Sequence, residues 1–420
     1  MLVYEFKLKG KQQQFNLIDQ AIRTALFIRN SCVRYWIDNK QVGKYDLSAY
    51  CKILAKNFEW ASKLNSMARQ ASADRAWSAI SRFYSNCKKK VPGKKGYPRF
   101  KKRGHSVEYK TTGWKLSEDR KYLTLTDDFE IGRLKLIGTY DLHFYQIKDI
   151  KRIRLVKRAD GYYAQLCIAI DRKIEEKPTT KAVGLDVGLT YFYTDSDGNK
   201  VDNPRFLRKS EKSLRRLQKR VSQKFNKGDA YWLKKKGEDS IQYLDWPTDK
   251  SGGFNLPPFS KNRLAQPQSN NYKKAKDKLA RKHLKLSRQR KDFALKLAKC
   301  VIQSADLIAY EDLQVRNMVK NHKLAKSISD ASWYQFRCWL EYFGNIYGKI
   351  TIALAPQYTS INCSSCGREV KKTLSTRTHK CICGAELCRD QNAALNILAK
   401  SSSTVGHTGS KAWGQNATSV

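Results

Sequence analysis

Five of the eleven cysteines in this chain crowd between Cys363 and Cys388. Cys363-Ser-Ser-Cys366-Gly367 is followed, after a short polar stretch, by Cys381-Ile-Cys383-Gly384. Two such pairs specify a tetrahedral four-thiolate zinc ribbon, a site closed on all sides and therefore structural rather than catalytic. Metal–thiolate bonds would dictate the path of this whole segment. The second pair is one residue tighter than the usual two-residue gap, which leaves Cys388 and His379 as alternative fourth ligands. The other cysteines, Cys32, Cys51, Cys87, Cys167, Cys300 and Cys338, are scattered and read as small buried apolar residues in a reducing compartment.

Charge constrains the partner. Lysine and arginine number 82 against 38 aspartates and glutamates, a formal charge of +44 that folding must hold together against self-repulsion. Solubility alone rarely calls for so large a single-sign excess, so the expected partner is a polyanion, and nucleic acid before any other. A membrane surface would also attract this charge. No apolar run is long enough to span a bilayer, however, and Met1 to Lys11 alternates like a strand rather than forming a signal-peptide core. The expectation is a protein of the prokaryotic cytosol and nucleoid. With 420 residues, 41% of them hydrophobic, the chain has material for roughly two to four domains.

Tyr4 to Lys9 reads as a strand, after which Phe15, Ile18, Ile22, Ala25, Cys32 and Trp36 recur near helical spacing, as do Met67, Ala71, Ile80, Phe83 and Cys87. This helical unit ends in Lys88 to Arg103, a lysine-dense loop punctuated by Pro92, Gly93, Gly96 and Pro98. Strand character returns from Tyr122 through Asp171, with Asp160-Gly161 as a two-residue hairpin turn. The helical unit thus reads as an insertion into a β domain. Strands are next expected over Ala182 to Val187 and Leu189 to Thr194, before a long basic helix with Leu214, Leu217, Val221 and Phe225 on one face. A second helix carries Tyr272, Leu279, Leu286, Phe293 and Cys300 at seven-residue intervals, predicting an antiparallel helical pair. Residues 226–271 between them lack a period and read as a surface insertion. Asp306 to Glu311 and Lys349 to Leu354 are further strands, Asp390 to Lys400 begins a helix, and the chain after Ser401 reads as a poorly ordered tail. Among the basic residues, Tyr97, Phe100, Tyr109 and Trp114 suit either base stacking or ordinary strand packing.

Three acids stand at chemically telling places. In Gly184-Leu185-Asp186-Val187-Gly188, alternation sends Val183, Leu185 and Val187 into a core and leaves Gly184, Asp186 and Gly188 on the other face. Nothing bulky then flanks the carboxylate, so a metal and a phosphate backbone could approach. Leu307-Ile308-Ala309-Tyr310-Glu311 ends an apolar strand in an acid, where an unpaired charge is avoided unless a cation neutralises it; Asp312 is the rival ligand. Asp390 opens a helix, where favourable interaction with the helix dipole is the simpler reading. Acids at strand, strand and helix positions match the layout of a ribonuclease-H-like site. Such a cluster suits phosphodiester hydrolysis, because two Mg²⁺ ions about 4 Å apart can activate the attacking water and stabilise the leaving oxygen.

The glycine-flanked Asp186, the strand end Tyr310-Glu311-Asp312-Leu313, the run Gln357-Tyr358-Thr359-Ser360 leading into the cysteines, and Arg389-Asp390-Gln391-Asn392-Ala393-Ala394-Leu395-Asn396-Ile397 together resemble the TnpB family of transposon-encoded RNA-guided nucleases, relatives of compact type V CRISPR effectors. The resemblance covers nearly the whole length, Tyr97-Pro98-Arg99-Phe100-Lys101 included. It implies a multidomain α+β chain. A wedge β-barrel would take residues 1–12 and 96–178, with a helical recognition domain inserted at 13–95. An RNase H-like RuvC nuclease domain would take 179–355 and 387–400, split by a zinc-ribbon, target-nucleic-acid-binding insertion at 356–386 and followed by a flexible tail at 401–420. It further implies Asp186, Glu311 and Asp390 as the catalytic, Mg²⁺-binding acids, one structural Zn²⁺ on Cys363, Cys366, Cys381 and Cys383, a guide RNA derived from the transposon end, and double-stranded target DNA unwound to an RNA–DNA hybrid. Cutting would fall beside a short transposon-associated motif. Two departures stand out: Cys388 occupies a position where an aspartate is usual, and Cys381 and Cys383 are one residue too close. The alternatives are a compact CRISPR effector and an RNA-guided repressor that occupies DNA without cutting.

Overall fold

The computed structural model describes residues 1–235, 269–373 and 376–408. The chain forms two compact units, Met1–Arg172 and Lys173–Val420. In the first, β1 (Leu2–Lys9) is followed by four helices, α1 (Gln12–Asp38), α2 (Lys44–Asn57), α3 (Glu59–Ser62) and α4 (Ser66–Lys88). Ile18, Ile22, Ala25, Ile28 and Cys32 of α1 are all buried, the one-sided stripe that packs a helix onto a core. Asn65 caps α4, its side chain accepting the Met67 amide at 2.8 Å. The chain then returns to strands: β2 (Ser106–Lys110), β3 (Trp114–Leu116), β4 (Tyr122–Leu125), β5 (Leu134–Ile137), β6 (Ile150–Arg158) and β7 (Gly161–Ile168).

These make a seven-stranded sheet in the order β2-β6-β7-β1-β5-β4-β3, with β1 antiparallel to both β7 and β5. The two edge strands, β2 and β3, are consecutive in sequence and joined only by a 3-10 turn at Thr111–Gly113. So short a link between opposite edges requires the sheet to curl into a near-barrel. Strand character was expected only from Tyr122, so β2 and β3 lie outside that expectation. The hairpin turn also falls one residue earlier than expected: Arg158 pairs with Gly161, so Ala159 and Asp160 make the turn and Gly161, at φ +136°, opens β7. Of the aromatics left between two readings, Tyr109 and Trp114 are buried in this core, whereas Tyr97 and Phe100 are half-exposed. Buried Glu108 on β2 gathers Arg152 at 3.0 Å, Arg154 at 2.8 Å and Arg75 at 3.5 Å.

The second unit is built on β8 (Ala182–Val187), β9 (Tyr191–Asp195), β10 (Lys200–Asp202), β11 (Leu307–Glu311) and β12 (Ile350–Leu354), in the order β10-β9-β8-β11-β12. β8, β11 and β12 run parallel, and β9 is antiparallel to both its neighbours, β8 and β10. Between β10 and β11 lie α5 (Phe206–Lys235) and α6 (Asn270–Ser304). They are antiparallel, as the ring pairs Phe206–Phe293 at 6.1 Å and Phe225–Tyr272 at 5.7 Å require. The insertion expected at 226–271 is narrower, since α5 runs on to Lys235 and α6 begins at Asn270; its remainder lies outside the described residues. After β11 come α7 (Val315–Met318), α8 (His322–Ala331) and α9 (Trp333–Tyr347); after β12 come the ribbon strands β13 (Thr378–Lys380) and β14 (Glu386–Cys388), then α10 (Arg389–Thr408). The flexible tail expected from 401 is helical through Thr408, with the rest outside the described residues. α6, α8 and α9 cover one face of the sheet around Val183, Leu185, Phe192 and Phe336. α10 covers the other, where Ile397 meets Ala309 and Leu354.

Candidate active site and metal centre

Side-chain alternation brings two acids to one face of the sheet. Along β8, Val183, Leu185 and Val187 enter the core shared with α6, α8 and α9, so Gly184 and Asp186 face α10. Along β11, Ile308 and Tyr310 belong to that same core, whereas Leu307 and Ala309 pack on the α10 side, and Glu311 follows their parity. Leu185 stands opposite Tyr310 in the parallel pairing; one step on in the same register, Asp186 stands beside Glu311, on strands about 4.8 Å apart. α10 lies across this face, and its first turn carries Asp390.

The expected open face beside Asp186 needs a correction. A Cβ built on Gly184 would lie 2.1 Å from the Ala394 carbonyl oxygen and 2.9 Å from the Leu398 nitrogen. The glycine is bare so that α10 can lie flush on β8, and a helix, not solvent, fills the space beside it. The same packing is what carries Asp390 toward Asp186.

The electrostatics follow from this arrangement. The Asp186 carboxyl is pushed well above the usual carboxylate range, first by burial, then by the charges of Glu311 and Asp390, against a lowering pull from Arg389. Glu311 is also raised by burial, although Thr359 Oγ1, 2.5 Å from Glu311 Oε1, and the Lys400 charge act the other way. Arg389 Nε lies 3.3 Å from Asp390 Oδ1. Asp312, the rival to Glu311, is engaged elsewhere: it pairs with Arg337, which also holds Glu341 at 2.8 Å. Buried carboxylates that repel one another suit a hard divalent cation with oxygen ligands. Their oxygens do not all lie within 4.8 Å of one another. Among the described residues, the thiol cluster is the one set of three or more donors whose ligand atoms all lie within 4.8 Å of one another.

That cluster consists of Cys363, Cys366, Cys381 and Cys383. Its Sγ–Sγ separations of 3.7 Å for Cys363–Cys383 and 3.6 Å for Cys366–Cys381 match the edge of a tetrahedron, about 3.8 Å for sulfurs about 2.3 Å from a central ion. Two turns present the sulfurs, each closed by a left-handed glycine. Gly367, at φ +76°, donates to the Cys363 carbonyl at 2.9 Å, and Gly384, at φ +90°, to that of Cys381 at 3.0 Å. The tight second pair therefore delivers both its sulfurs. Cys388, the alternative ligand, lies instead in β14 opposite Thr378, and His379 is buried beside Cys363. Burial pushes the Cys363 thiol up, but the Cys366 amide, His379 and the Ser365 amide outweigh it and hold the thiol at about 5, ready to ligate as thiolate.

Two asparagines join the thiol cluster to the acid site. Fully buried Asn392 accepts the Ser364 amide at 2.9 Å and donates to the Asn362 carbonyl at 2.7 Å. Asn396 donates to the Thr359 and Asn362 carbonyls, each at 2.8 Å. Thr359, Asn392 and Asn396 all stand in the runs that carry the family resemblance, yet the sequence alone gave them no task. The available signal was the four-residue spacing of the asparagines, which puts both on one face of α10.

Residues 333–397 match a family model described as "Cas12f1-like, TNB domain", and residues 165–239 and 262–322 match OrfB_IS605, described as "Probable transposase". A "Putative RNA-guided DNA endonuclease" of Streptomyces pristinaespiralis is 35% identical over 223 residues, 53% of this chain but only 45% of that relative's length. "Putative RNA-guided DNA endonuclease InsQ" of Escherichia coli K12 is 24% identical over 418 residues, spanning 94% of this chain and 91% of its own. In fold, the chain resembles the protein of a Cas12f1–sgRNA–target DNA complex solved by cryo-EM, with a TM-score of 0.50 at 14% identity, covering 92% of this chain and 83% of that one. Two family models in sequence order and a relative alike from end to end agree with the arrangement of acids and cysteines and with the chain's resemblance to the TnpB family.

Proposed function

We propose that this chain is an RNA-guided DNA endonuclease of a transposable element, cutting through a single RuvC-like, Mg²⁺-dependent site made by Asp186, Glu311 and Asp390. One observation carries the reading: β8, β11 and α10 bring acids far apart in sequence to one face, where burial first and then the charges of Glu311 and Asp390 raise the Asp186 carboxyl. In this reading the sheet of the second unit with α10 is the RNase H-like nuclease domain. The near-barrel sheet is the wedge, α1 to α4 are the recognition helices, and the cysteine segment is the zinc-ribbon insertion that grips target nucleic acid. A guide RNA from the transposon end pairs with one DNA strand, while the protein reads a short flanking motif.

Bound divalent ions would supply water activation and charge neutralisation at the leaving oxygen. The chain's own groups do the positioning. The Thr359 hydroxyl fixes the Glu311 carboxylate at 2.5 Å, and Arg389 steadies Asp390. Asn392 and Asn396 tie the four-cysteine segment to the helix that carries Asp390, so that a strand held by the ribbon is registered against the acids. Cys363, Cys366, Cys381 and Cys383 would hold one Zn²⁺, whose part is structural.

The test is Asp186→Asn in the complex of the full chain with its RNA. Replacing a direct ligand should lower Mg²⁺-dependent cutting more than about a hundredfold, since even outer-shell partners cost ten- to a hundredfold, while the RNA content of the complex is unchanged. Retained cutting removes Asp186 from the chemistry. Wild-type protein that occupies its DNA target in Mg²⁺ without cleaving it would make the chain a guided binder instead.

A further inference from the structure

A second polar cleft opens just past the strand that carries Asp186. It has a volume of about 330 Å³, and its lining includes Thr190, Asn203, Arg205, Arg208, Lys326 and Ser327. Thr190 follows Asp186 by four residues, in the tight turn closed by the Gly188 amide on the Phe192 carbonyl at 3.1 Å. Four residues of chain reach at most about 14 Å, or about four steps along one strand of a duplex.

The charge of the cleft is not a diffuse surface excess. Asp330 accepts the first amides of α5, Leu207 at 2.9 Å and Arg208 at 3.3 Å, and is itself paired with Arg290 at 2.7 Å. The helix N-terminus is therefore already satisfied, and the one acid in the lining is neutralised. Lys326 is paired with Glu211. Arg205 and Arg208 remain: both are exposed, and among the described residues neither guanidinium has a protein partner. The backbone at Arg205 is specially held. Its φ is +47°, a left-handed conformation that a non-glycine residue adopts at a cost. Asn203 fixes it there, donating from Nδ2 to the Leu189 carbonyl at 3.2 Å and accepting the Arg205 amide on Oδ1 at 3.3 Å. A strained backbone has been locked in order to aim a free guanidinium into a cleft lined by two hydroxyls. Paired guanidinium forks match the oxygens of a phosphodiester.

We propose that Arg205 and Arg208, with Thr190 and Ser327, form a phosphodiester-binding cleft that holds the backbone of the DNA strand entering the Asp186 site. This deepens the nuclease reading and rests on it, since a strand held here lies within a few nucleotides of the acids. A backbone phosphate of the guide RNA offers the same chemistry, and the experiment separates the two.

The full chain is purified with its RNA as wild type, Arg205→Ala/Arg208→Ala, Lys212→Ala/Lys219→Ala as a same-helix control, and Asp186→Asn. RNA content is measured, and a fluorescent 20-nucleotide oligothymidine is titrated in chelator between about 50 and 200 mM salt. The arginine pair should keep its RNA, bind the oligonucleotide about tenfold more weakly and flatten the log–log salt slope by about one to two units, at about one unit for each phosphate no longer neutralised. The lysine pair should change both readouts far less. Equal losses in the two pairs would make the effect a general field. Loss of RNA with unchanged oligonucleotide affinity would assign the cleft to the guide. Either result overturns the proposal. Asp186→Asn should bind like wild type, so a failure of the catalytic assignment would appear in its cutting and a failure of the cleft in this titration.

Discussion

At the scale of single residues, burial and like charge both work against ionised Asp186, and the direction of the effect on stability follows. Burial and two like charges favour its protonated form, so its folded pKa is raised above the unfolded value of about 3.9. Below that value the carboxyl is neutral in both states and costs the fold nothing. As pH rises through the raised folded value, the fold must carry an ionised, desolvated group and loses stability. In chelator, Asp186→Asn should therefore melt higher than wild type, and the gap should widen as pH rises from about 4 toward the raised folded value. The shift should be roughly 2–4 °C for each kcal/mol of repulsion relieved. Added Mg²⁺ should raise the wild-type melting temperature and leave the variant's nearly unchanged, because stabilisation by a ligand requires its site. Calorimetry with and without chelator measures both. A variant that melts lower at pH 8 in chelator would mean that protein groups already satisfy the carboxylate.

Among the elements, α10 is the joint between the thiol cluster and the acid site. Its first turn holds Asp390, its backbone rests on Gly184, and its Asn392 and Asn396 bind the turn that bears Cys363. Asn392→Ala would strip the Ser364 amide of its acceptor, at a cost of about 1–3 kcal/mol, while the Asn362 carbonyl keeps its bond from Asn396. The cysteine segment should then release zinc to a chelator about ten times faster or more, with cutting reduced in parallel while RNA content holds. Metal release timed with a colorimetric chelator decides this, and unchanged release would mean that the ribbon is anchored elsewhere. Much of this element-level plan was legible in the sequence. Alternation over Val183 to Val187 put Asp186 on a face, the apolar run from Leu307 put Glu311 at a strand end, and cysteine pairing located the thiol cluster. The rest depended on partners that no local pattern names. Gly184 looked like an opening because the helix filling it lies some 200 residues on, roughly two domain-lengths of a typical core. β2 and β3 were missed because short edge strands of three to five residues show too little alternation to register.

For the molecule as a whole, the decisive quantity is charge that has no counterpart within the protein. The 38 acids cannot offset 82 lysines and arginines, and several acids are already committed, Glu108 alone gathering three arginines. The remaining cations are held at a repulsive cost that only an outside polyanion relieves. If that polyanion is a folded RNA wrapped over many phosphates, binding must be driven largely by counterion release. Affinity for the copurifying RNA should then fall about 10³-fold or more between about 50 and 200 mM salt, as for a protein that neutralises six or more phosphates. Asp186→Asn should show the same slope, because in the proposed function the acid site contributes cutting rather than grip. Filter binding across a salt series measures this. A fall of less than about tenfold would mean that most of the excess lysines face something other than phosphate, and the identification of nucleic acid as the partner of this charge would fail with it.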